Sequence, residues 1–400
     1  MSLIVQKFGG SSVADTERLM NVADIVTKTF ARGDDVVVVV SAQGDTTDDL
    51  IEKAREINPN PSKREMDMLL ANGEQISISL LAMAIEKLGF PVISLTGWQA
   101  GMQTDMTYGA ARIQKINTER LKLEISKRRI VIVAGFQGIN RFEDITTLGR
   151  GGSDTSAVAL AAALGADLCQ IYTDVDGVYS ADPRIVENAV KLNEITYDEM
   201  LELASLGAQV LHNRSVEMAK RFNIDMEVIS SFTRNPGTKV KEAHKMEKMN
   251  VSGVARDMDI AQISLMNLKD APGVAYKIFS VLTKAGVNVD IIIQSIGRDG
   301  TKDIAFTVSH SNLKLAQKLI EDNREKIGYE RILVREDLCK VSVVGAGMVN
   351  NPGVAAMMFE ALSSAGININ MISTSEIKVS VLIPKEDSER ALRAVHDKFF

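Results

Sequence analysis

Pro272-Gly273-Val274-Ala275 recurs as Pro352-Gly353-Val354-Ala355. The same offset of 80 carries Phe279 onto Phe359, Leu282 onto Leu362, Ala285-Gly286 onto Ala365-Gly366, Asn288 onto Asn368 and Ser295 onto Ser375. A match sustained at one offset marks a duplicated structural unit, so the C-terminal part should fold as two similar domains. Each copy reads strand, Pro-Gly turn, helix, strand, strand, helix. In the first copy the apolar pattern predicts strands at 263–268, 289–296, 304–308 and 332–334, with helices at 274–284 and 313–323. In the second it predicts strands at 340–344, 369–373 and 379–383, with helices at 354–364 and 388–398. The second copy thus stops one strand short. Val251-Ser252-Gly253-Val254-Ala255 is strand-like and otherwise unassigned, and is expected to complete it, with the first copy inserted between. The expected domains are 259–337 and 338–400, the latter completed by 251–256, after a polar linker at 233–250 that contains Asn235-Pro236-Gly237.

Residues 1–232 follow a different pattern, strands alternating with helices. Leu3-Ile4-Val5 leads to Lys7, Gly9-Gly10-Ser11-Ser12 forms a glycine turn, and Leu19, Val22, Ile25, Val26 and Phe30 mark an amphipathic helix. Ser12 and Asp15 have capping-box spacing, which predicts a helix start just after the glycines. Val36–Val40 reads as a fully buried strand, Val92–Leu95, Ile130–Ala134 and Gln170–Thr173 as further strands, and 64–88 as a helix so apolar nearly all round that it should be buried. This alternation predicts a mainly parallel sheet covered on both faces, three layers in all.

Ligands of such sheets collect at the carboxyl ends of the strands. There the chain places Ser41 and Thr47 in one exit loop, and Arg150-Gly151-Gly152-Ser153-Asp154-Thr155 in another that opens into the apolar run Ala157–Leu164. Paired glycines let backbone N–H groups approach a ligand, and a helix start adds the positive end of its dipole, so the second loop suits an anion. Taken singly, these stretches also fit a capped turn and turn hydroxyls. Glu74 stands before the apolar helix, where a carboxylate needs a partner or a ligand.

Four hundred residues exceed one ordinary core, and two or three domains are expected. A net charge of −6 offers no polybasic face, and the few aromatics are not interleaved with Lys and Arg, which argues against nucleic acid and anionic membrane surfaces as partners. The N-terminus lacks a signal-peptide pattern and no uninterrupted apolar run spans a bilayer, so a cytoplasmic chain without a membrane partner is expected. Cys169 and Cys339 read as buried thiols in a reducing compartment. His212 has no second His or Cys at ligand spacing and reads as structural.

Lys7-Phe8-Gly9-Gly10-Ser11-Ser12-Val13, Val40-Ser41-Ala42, Gly73-Glu74, Ala134-Gly135-Phe136-Gln137-Gly138, Leu148 to Thr155 and Tyr172-Thr173-Asp174-Val175-Asp176-Gly177-Val178 together resemble the aspartokinase family. The resemblance covers the whole chain. It implies an α/β amino-acid-kinase fold, a three-layer αβα sandwich, at 1–232, followed by tandem ferredoxin-like (βαββαβ) ACT domains. It also implies ATP-dependent phosphorylation of L-aspartate to 4-phospho-L-aspartate, the first step of lysine, threonine and methionine biosynthesis, with Mg2+ on the nucleotide.

By resemblance Lys7 and Asp154 are catalytic, Lys7 contacting the transferring phosphoryl and Asp154 orienting Lys7. Lys7, Phe8, Gly9, Gly10, Thr173, Asp174, Tyr179, Asp182 and Arg184 would bind ATP. Ser41, Thr47, Glu74, Arg150, Gly151, Gly152 and Ser153 would bind aspartate, Arg150 meeting a carboxylate and Glu74 the ammonium. The chain departs from the family in Gln209, where many relatives carry Lys, and in Asn213, where they carry Pro; Gln43 and Asp45 replace the common Met and Lys. A neutral Gln209 cannot supply the same charge to a phosphate.

ACT pairs resemble amino-acid sensors. The corresponding effector positions are Asp270, Gly273, Val274, Ala275 and Gln294 in the first copy, and Asn351, Gly353, Val354, Asn368, Asn370, Ile372, Thr374 and Glu376 in the second. Lysine is the expected feedback inhibitor, with threonine as a second candidate. A homo-oligomer, at least a dimer through the ACT domains, is expected, and Met246, Met249 and Met258 lie where some relatives start a separately translated ACT subunit. Two alternatives stay open: a kinase of glutamate or acetylglutamate, and a catalytically weak amino-acid-binding regulator.

Overall fold

A computed structural model of the chain describes residues 1–205, 210–233, 235–242, 250–295, 300–346, 348 and 353–400. One unit comprises Met1–Tyr179 with Lys191–Met246, and a second comprises Ser180–Val190 with Glu247–Phe400. The first unit runs β1 (Leu3–Phe8), α1 (Thr16–Ala31), β2 (Asp35–Val40), α2 (Thr46–Ile57), α3 (Lys63–Leu70), α4 (Asn72–Lys87), β3 (Val92–Leu95), β4 (Met102–Thr104), β5 (Ile113–Ile116), α5 (Glu119–Ser126) and β6 (Ile130–Ala134). It continues through β7 (Gln137–Ile139), β8 (Ile145–Thr147), α6 (Gly152–Leu164), β9 (Leu168–Thr173), β10 (Glu194–Thr196), α7 (Tyr197–Ser205), α8 (Asn213–Phe222), β11 (Met226–Ser230) and β12 (Thr238–Lys241).

Eight strands form the main sheet in the order β10-β12-β11-β9-β1-β2-β6-β3. Every neighbouring pair is parallel except β11 with β12. The valine run of β2 is buried throughout because both faces of the sheet are covered. On one face Val36, Val38 and Val40 meet Leu19, Val22 and Val26 of α1 and Ile78, Leu81 and Ile85 of α4. Alternation sends Val37 and Val39 to the other face, and α6 packs on β1, β2 and β9.

Three local expectations are corrected. The helix expected at 64–88 is two, α3 and α4, separated at Ala71. It is not buried all round: Ile76, Leu80 and Met83 of α4 are exposed. An 18-residue window within Lys63–Lys87 reaches a mean hydropathy of 1.4, enough for a membrane span by length and composition, yet Ile78, Leu81 and Ile85 sit in the sheet core. The first helix starts at Thr16, capped by Asp15, whose carboxylate accepts from Arg18 N; Gly10–Val13 form a 3-10 turn instead. Ser12 does not cap, because its hydroxyl is buried against Ser231 Oγ at 2.8 Å. A small second sheet, β5-β4-β7-β8, was not foreseen, since strands of three or four residues show no period.

The second unit adds β13 (Asn250–Asp257), β14 (Ala261–Lys269), α9 (Val274–Lys284), β15 (Ile292–Gln294), β16 (Thr301–Val308), α10 (His310–Asp322), α11 (Arg324–Ile327) and β17 (Arg331–Arg335). Then come β18 (Leu338–Ala346), α12 (Gly353–Ser364), β19 (Met371–Thr374), β20 (Lys378–Pro384) and α13 (Ser388–Phe399). Its two antiparallel sheets run β15-β16-β14-β17 and β13-β18-β20-β19. Ile278, Leu282, Leu313 and Ile320 of α9 and α10 bury the first, and Met358, Leu362, Leu392 and Val395 of α12 and α13 the second. Strand β13 precedes the first repeat in sequence but pairs with β18 of the second, Val254 opposite Val343.

The excursion Ser180–Val190 interrupts what the sequence suggested was an unbroken domain over 1–232. Its Ala181, Ile185 and Val186 are buried in the core of the second repeat. Ser180 Oγ lies 2.8 Å from His396 Nε2, and Arg393 Nε donates to Ile185 O at 2.9 Å. A segment this short has no period to reveal which core receives it.

Lys340 of β18 is buried, its Nζ 2.5 Å from Asp290 Oδ2 and 3.4 Å from Asp257 Oδ2. Lys340→Met would leave two carboxylates facing each other without a cation. Because both are partly solvated, the expected loss is about 2 kcal/mol, readable in urea unfolding.

Candidate active site

Strand β1 lies between β2 and β9, so Lys7 emerges near the carboxyl ends of the central strands, beside Val39 and Ile171. Its Nζ lies 2.7 Å from Asp154 Oδ1, each side chain only about a tenth exposed (11% and 13%). Asp154 is held there by the first turn of α6. After β1 the chain must hug the loop after β2: a Cβ on Gly10 would come 2.7 Å from Ala42 O, and Gly44 N donates to Gly10 O. The Gly9 N–H, expected to face phosphate, already donates to Tyr172 O at 3.3 Å. The Phe8 ring is fully buried and stacks on Tyr172, centroids 4.5 Å apart, and its carbonyl accepts from Ser41 N at 3.1 Å, so Phe8, expected to bind ATP, is taken up by the core and the sheet.

The loop entering α6 is shaped by close approach. A Cβ on Gly135 would come 2.7 Å from Ser153 Oγ, and one on Gly152 2.8 Å from the Phe136 ring. Phe136 itself holds φ +67, a left-handed conformation that costs a non-glycine residue about 1 kcal/mol or more. It is locked there from both sides: its N–H donates to Ser156 Oγ at 3.1 Å and its carbonyl accepts from Leu148 N at 2.8 Å. Gly149 and Gly151, at φ +78 and +68, flank Arg150 and turn it outward. Arg150 is exposed and makes no ion pair among the described residues.

Glu74 enters on the first turn of α4, 3% exposed. Its Oε1 accepts from Ala42 N at 3.0 Å, whereas Oε2 is buried with no partner among the described residues. Desolvation pushes its pKa up to about 7, against the pull of the Ala42 bond. Ser41 follows β2 with its N–H on Phe8 O, and Thr47, expected in the exit loop, lies in the first turn of α2, half-buried. Gln43 donates to Val13 O at 2.7 Å, and Asp45 makes no capping bond.

Among the residues expected to bind ATP, Thr173 ends β9 and its hydroxyl donates to Asp174. Tyr179 OH donates to Asp176 Oδ1 at 2.7 Å. Asp182 and Arg184 belong to the second unit, joined to each other by two bonds of 3.0 and 2.8 Å. His212 is structural in position: it caps α8, its Nδ1 accepting from Arg214 N. Asn213 Nδ2 donates to Ser205 Oγ at 2.8 Å. Gln209 lies outside the described residues, as do Met246, Met249 and Asn351. Sequence reasoning missed Asp67 and Arg214, neither of which belongs to a local chemical pattern, and it gave Phe136 no role beyond membership of a motif.

Of the effector positions, Gly273 precedes α9 with φ +89, Val274 and Ala275 open that helix, and Gln294 ends β15. Asp270 pairs with Lys302 at 3.1 Å. Gly353 and Val354 open α12, Ile372 and Thr374 lie on β19, and Asn370 accepts from Arg335 at 2.9 Å. Asn368 lies in the turn between α12 and β19, and Glu376 is exposed between β19 and β20.

The Amino acid kinase family profile matches residues 2–230, and an ACT domain profile matches 263–323 and 341–399. The chain is 50% identical over 400 residues to the aspartokinase of Bacillus sp. (strain MGA3), covering 100% of this chain and 97% of that one. The chain belongs to the aspartokinase family. Among aspartokinase structures, E. coli aspartokinase III in complex with aspartate and ADP (R-state) matches with a TM-score of 0.83 at 26% identity over 100% of both chains. The same enzyme in complex with lysine and aspartate (T-state) matches at 0.76 and 27%, covering 100% of this chain and 99% of that one. The mainly parallel sheet and the two antiparallel sheets are thus those of an aspartokinase.

Proposed function

We propose that this chain transfers the γ-phosphoryl group of ATP to the side-chain carboxylate of L-aspartate, giving 4-phospho-L-aspartate and ADP. The observation that carries this reading, given the family, is the buried, unpartnered Oε2 of Glu74, an acceptor suited to the ammonium group of an amino acid. A carboxylate oxygen of aspartate attacks the γ-phosphorus and the bond to the ADP oxygen breaks. The acceptor is already ionised at neutral pH, so no base is required. Two anions must be aligned and their charge offset, which calls for cations and N–H donors rather than a covalent intermediate.

Lys7, held straight by Asp154, meets the transferring phosphoryl. Arg150 pairs with an aspartate carboxylate, and Ser41, Thr47, Gly151, Gly152 and Ser153 complete the seat. The Gly10 turn, Thr173, Asp174 and Tyr179 border the nucleotide. Among the described residues no three His, Cys, Asp or Glu side chains come together as a metal cage. Mg2+ therefore fits as an ion carried by the nucleotide phosphates and water, where it neutralises phosphate charge.

The second unit senses lysine, with threonine as a second candidate, through a coupling of about 1–3 kcal/mol, and its sheets support assembly into a homo-oligomer. The reaction takes place in the cytoplasm, where the buried thiols of Cys169 and Cys339 stay reduced. ADP release measured with aspartate, glutamate or acetylglutamate, each with and without lysine, tests the reading. Turnover is expected with aspartate alone and is expected to fall when lysine is added. No turnover with any substrate would instead point to a regulator.

A further inference from the structure

The strand and loop that present Arg150 are gripped by two charged side chains, neither of which belongs to the substrate seat. Asp67 of α3 is 1% exposed and takes up N–H donors: Oδ2 accepts from Gly109 N and from Thr147 N, both at 2.9 Å, and Oδ1 accepts from Thr147 Oγ1 at 2.7 Å. Arg214 of α8 takes up carbonyls of the same two segments, donating to Ala111 O at 2.9 Å and to Leu148 O at 3.0 Å. The segments are tied to each other by Ala111 N donating to Thr147 O at 2.9 Å. An anion thus holds one end of this pair by its donors, and a cation holds the other end by its acceptors. Directly after the gripped Leu148 come Gly149, Arg150 and Gly151.

The neighbouring turn leaves this loop little room. A Cβ on Gly149 would come 3.1 Å from Gly109 O, and one on Gly151 would come 2.3 Å from the His212 ring, which belongs to the same turn of α8 as Arg214. The two residues charged with gripping the loop are themselves partly or fully withdrawn from water, an arrangement that is costly for an ion and is maintained only where its bonds are needed.

We infer that Asp67 and Arg214 are positioning residues for the aspartate seat: from opposite sides they fix segments 109–111 and 147–148, and so set where Arg150 stands. The inference rests on the proposed aspartate kinase activity and deepens it. It assigns to α3 and α8 a share in substrate affinity without contact to substrate. The nucleotide has no part in the clamp, so its affinity separates positioning from general damage.

The test is steady-state kinetics on the full chain for Arg214→Met, Arg214→Lys and Asp67→Asn. Arg214→Met is expected to raise KM for aspartate about ten- to a hundredfold, with KM for ATP within about twofold of the parent. Arg214→Lys reaches one carbonyl instead of two and should fall between. Asp67→Asn keeps one acceptor and is expected to behave like Arg214→Lys. Added guanidinium ion should lower KM for aspartate in Arg214→Ala, a rescue that a merely structural role would not give. A folded Arg214→Met with an unchanged KM for aspartate would overturn the inference, as would equal rises in both KM values. Should Arg214→Met fail to fold, the Arg214→Lys split and the guanidinium rescue decide. A parent chain inactive toward aspartate would instead refute the kinase reading on which the clamp rests.

Discussion

Lys7→Ala is expected to lower kcat by about 10²–10³-fold while leaving KM for aspartate within a few-fold of the parent. Lys7 is the cation that the geometry places in ion-pair contact with Asp154 at the carboxyl ends of the central strands. A preorganised charge aimed at developing negative charge acts mainly in the transition state, so its loss shows in kcat rather than in ground-state binding. Asp154→Asn distinguishes holding from reacting. It keeps the ammonium but frees it to turn, and a smaller loss, about tenfold, is expected because the charge survives and only its orientation suffers. Rapid-quench or ADP-release assays at saturating ATP and aspartate read both. Equal losses in the two variants would mean that Asp154 does more than orient.

The second large effect concerns Glu74. Its carboxyl titrates at about 7 in the folded chain, against 4.5 for an exposed glutamate, because burial disfavours the charge. Binding an ammonium group requires the ionised form. KM for aspartate should therefore rise about tenfold per unit as pH falls below 7, and should be flat above it. Glu74→Gln should raise KM about 30- to 100-fold at pH 8 and abolish the pH dependence, since a charged hydrogen bond is exchanged for a neutral one.

The same shift makes a stability prediction of opposite sign. Between pH 4.5 and 7 the unfolded chain has released this proton and the folded chain retains it. Stability therefore falls as pH rises through that window and the penalty is complete above 7, roughly 3 kcal/mol for a shift of this size. Glu74→Gln should unfold at higher urea than the parent at pH 8 in the absence of aspartate, while losing affinity for it. A variant both weaker in binding and no more stable would show that Glu74 has a partner after all.

How much of this was legible beforehand depended on the range of the signal. The repeat at offset 80 specified two similar sheets, and β14 to β17 with β18 to β20 follow its elements closely. The valine run of β2 and the apolar run of α6 announced a sheet covered on both faces. Lys7, Glu74 and Arg150 could be picked out because charge stood next to glycine or within apolar surroundings. The break at Ala71 was hidden because helical periodicity continues across it. The burial of Ser12 and the removal of the Gly9 N–H were hidden for another reason: their partners, Ser231 and Tyr172, come from strands far along the chain. Asp67 and Arg214 were invisible for the same reason, since each bonds backbone from segments 42 to 103 residues away. Sequence displays what a residue is, and shows poorly which distant carbonyl it will meet.

The excursion at Ser180–Val190 bears on how this chain can be divided. The linker expected at 233–250 is not one throughout, since β12 belongs to the main sheet; a cut after β12 looks like a natural place to separate catalysis from sensing, yet it would leave Ala181, Ile185 and Val186 on the wrong fragment. The catalytic fragment would carry an apolar flap with nothing to cover it. The sensing fragment would lack part of its own interior, with His396 deprived of the Ser180 hydroxyl. A regulatory piece started from Met246 or Met249 would lack the same segment, with Ala181, Ile185 and Val186 missing from its core. The gene can be divided at the linker; the hydrophobic interior cannot.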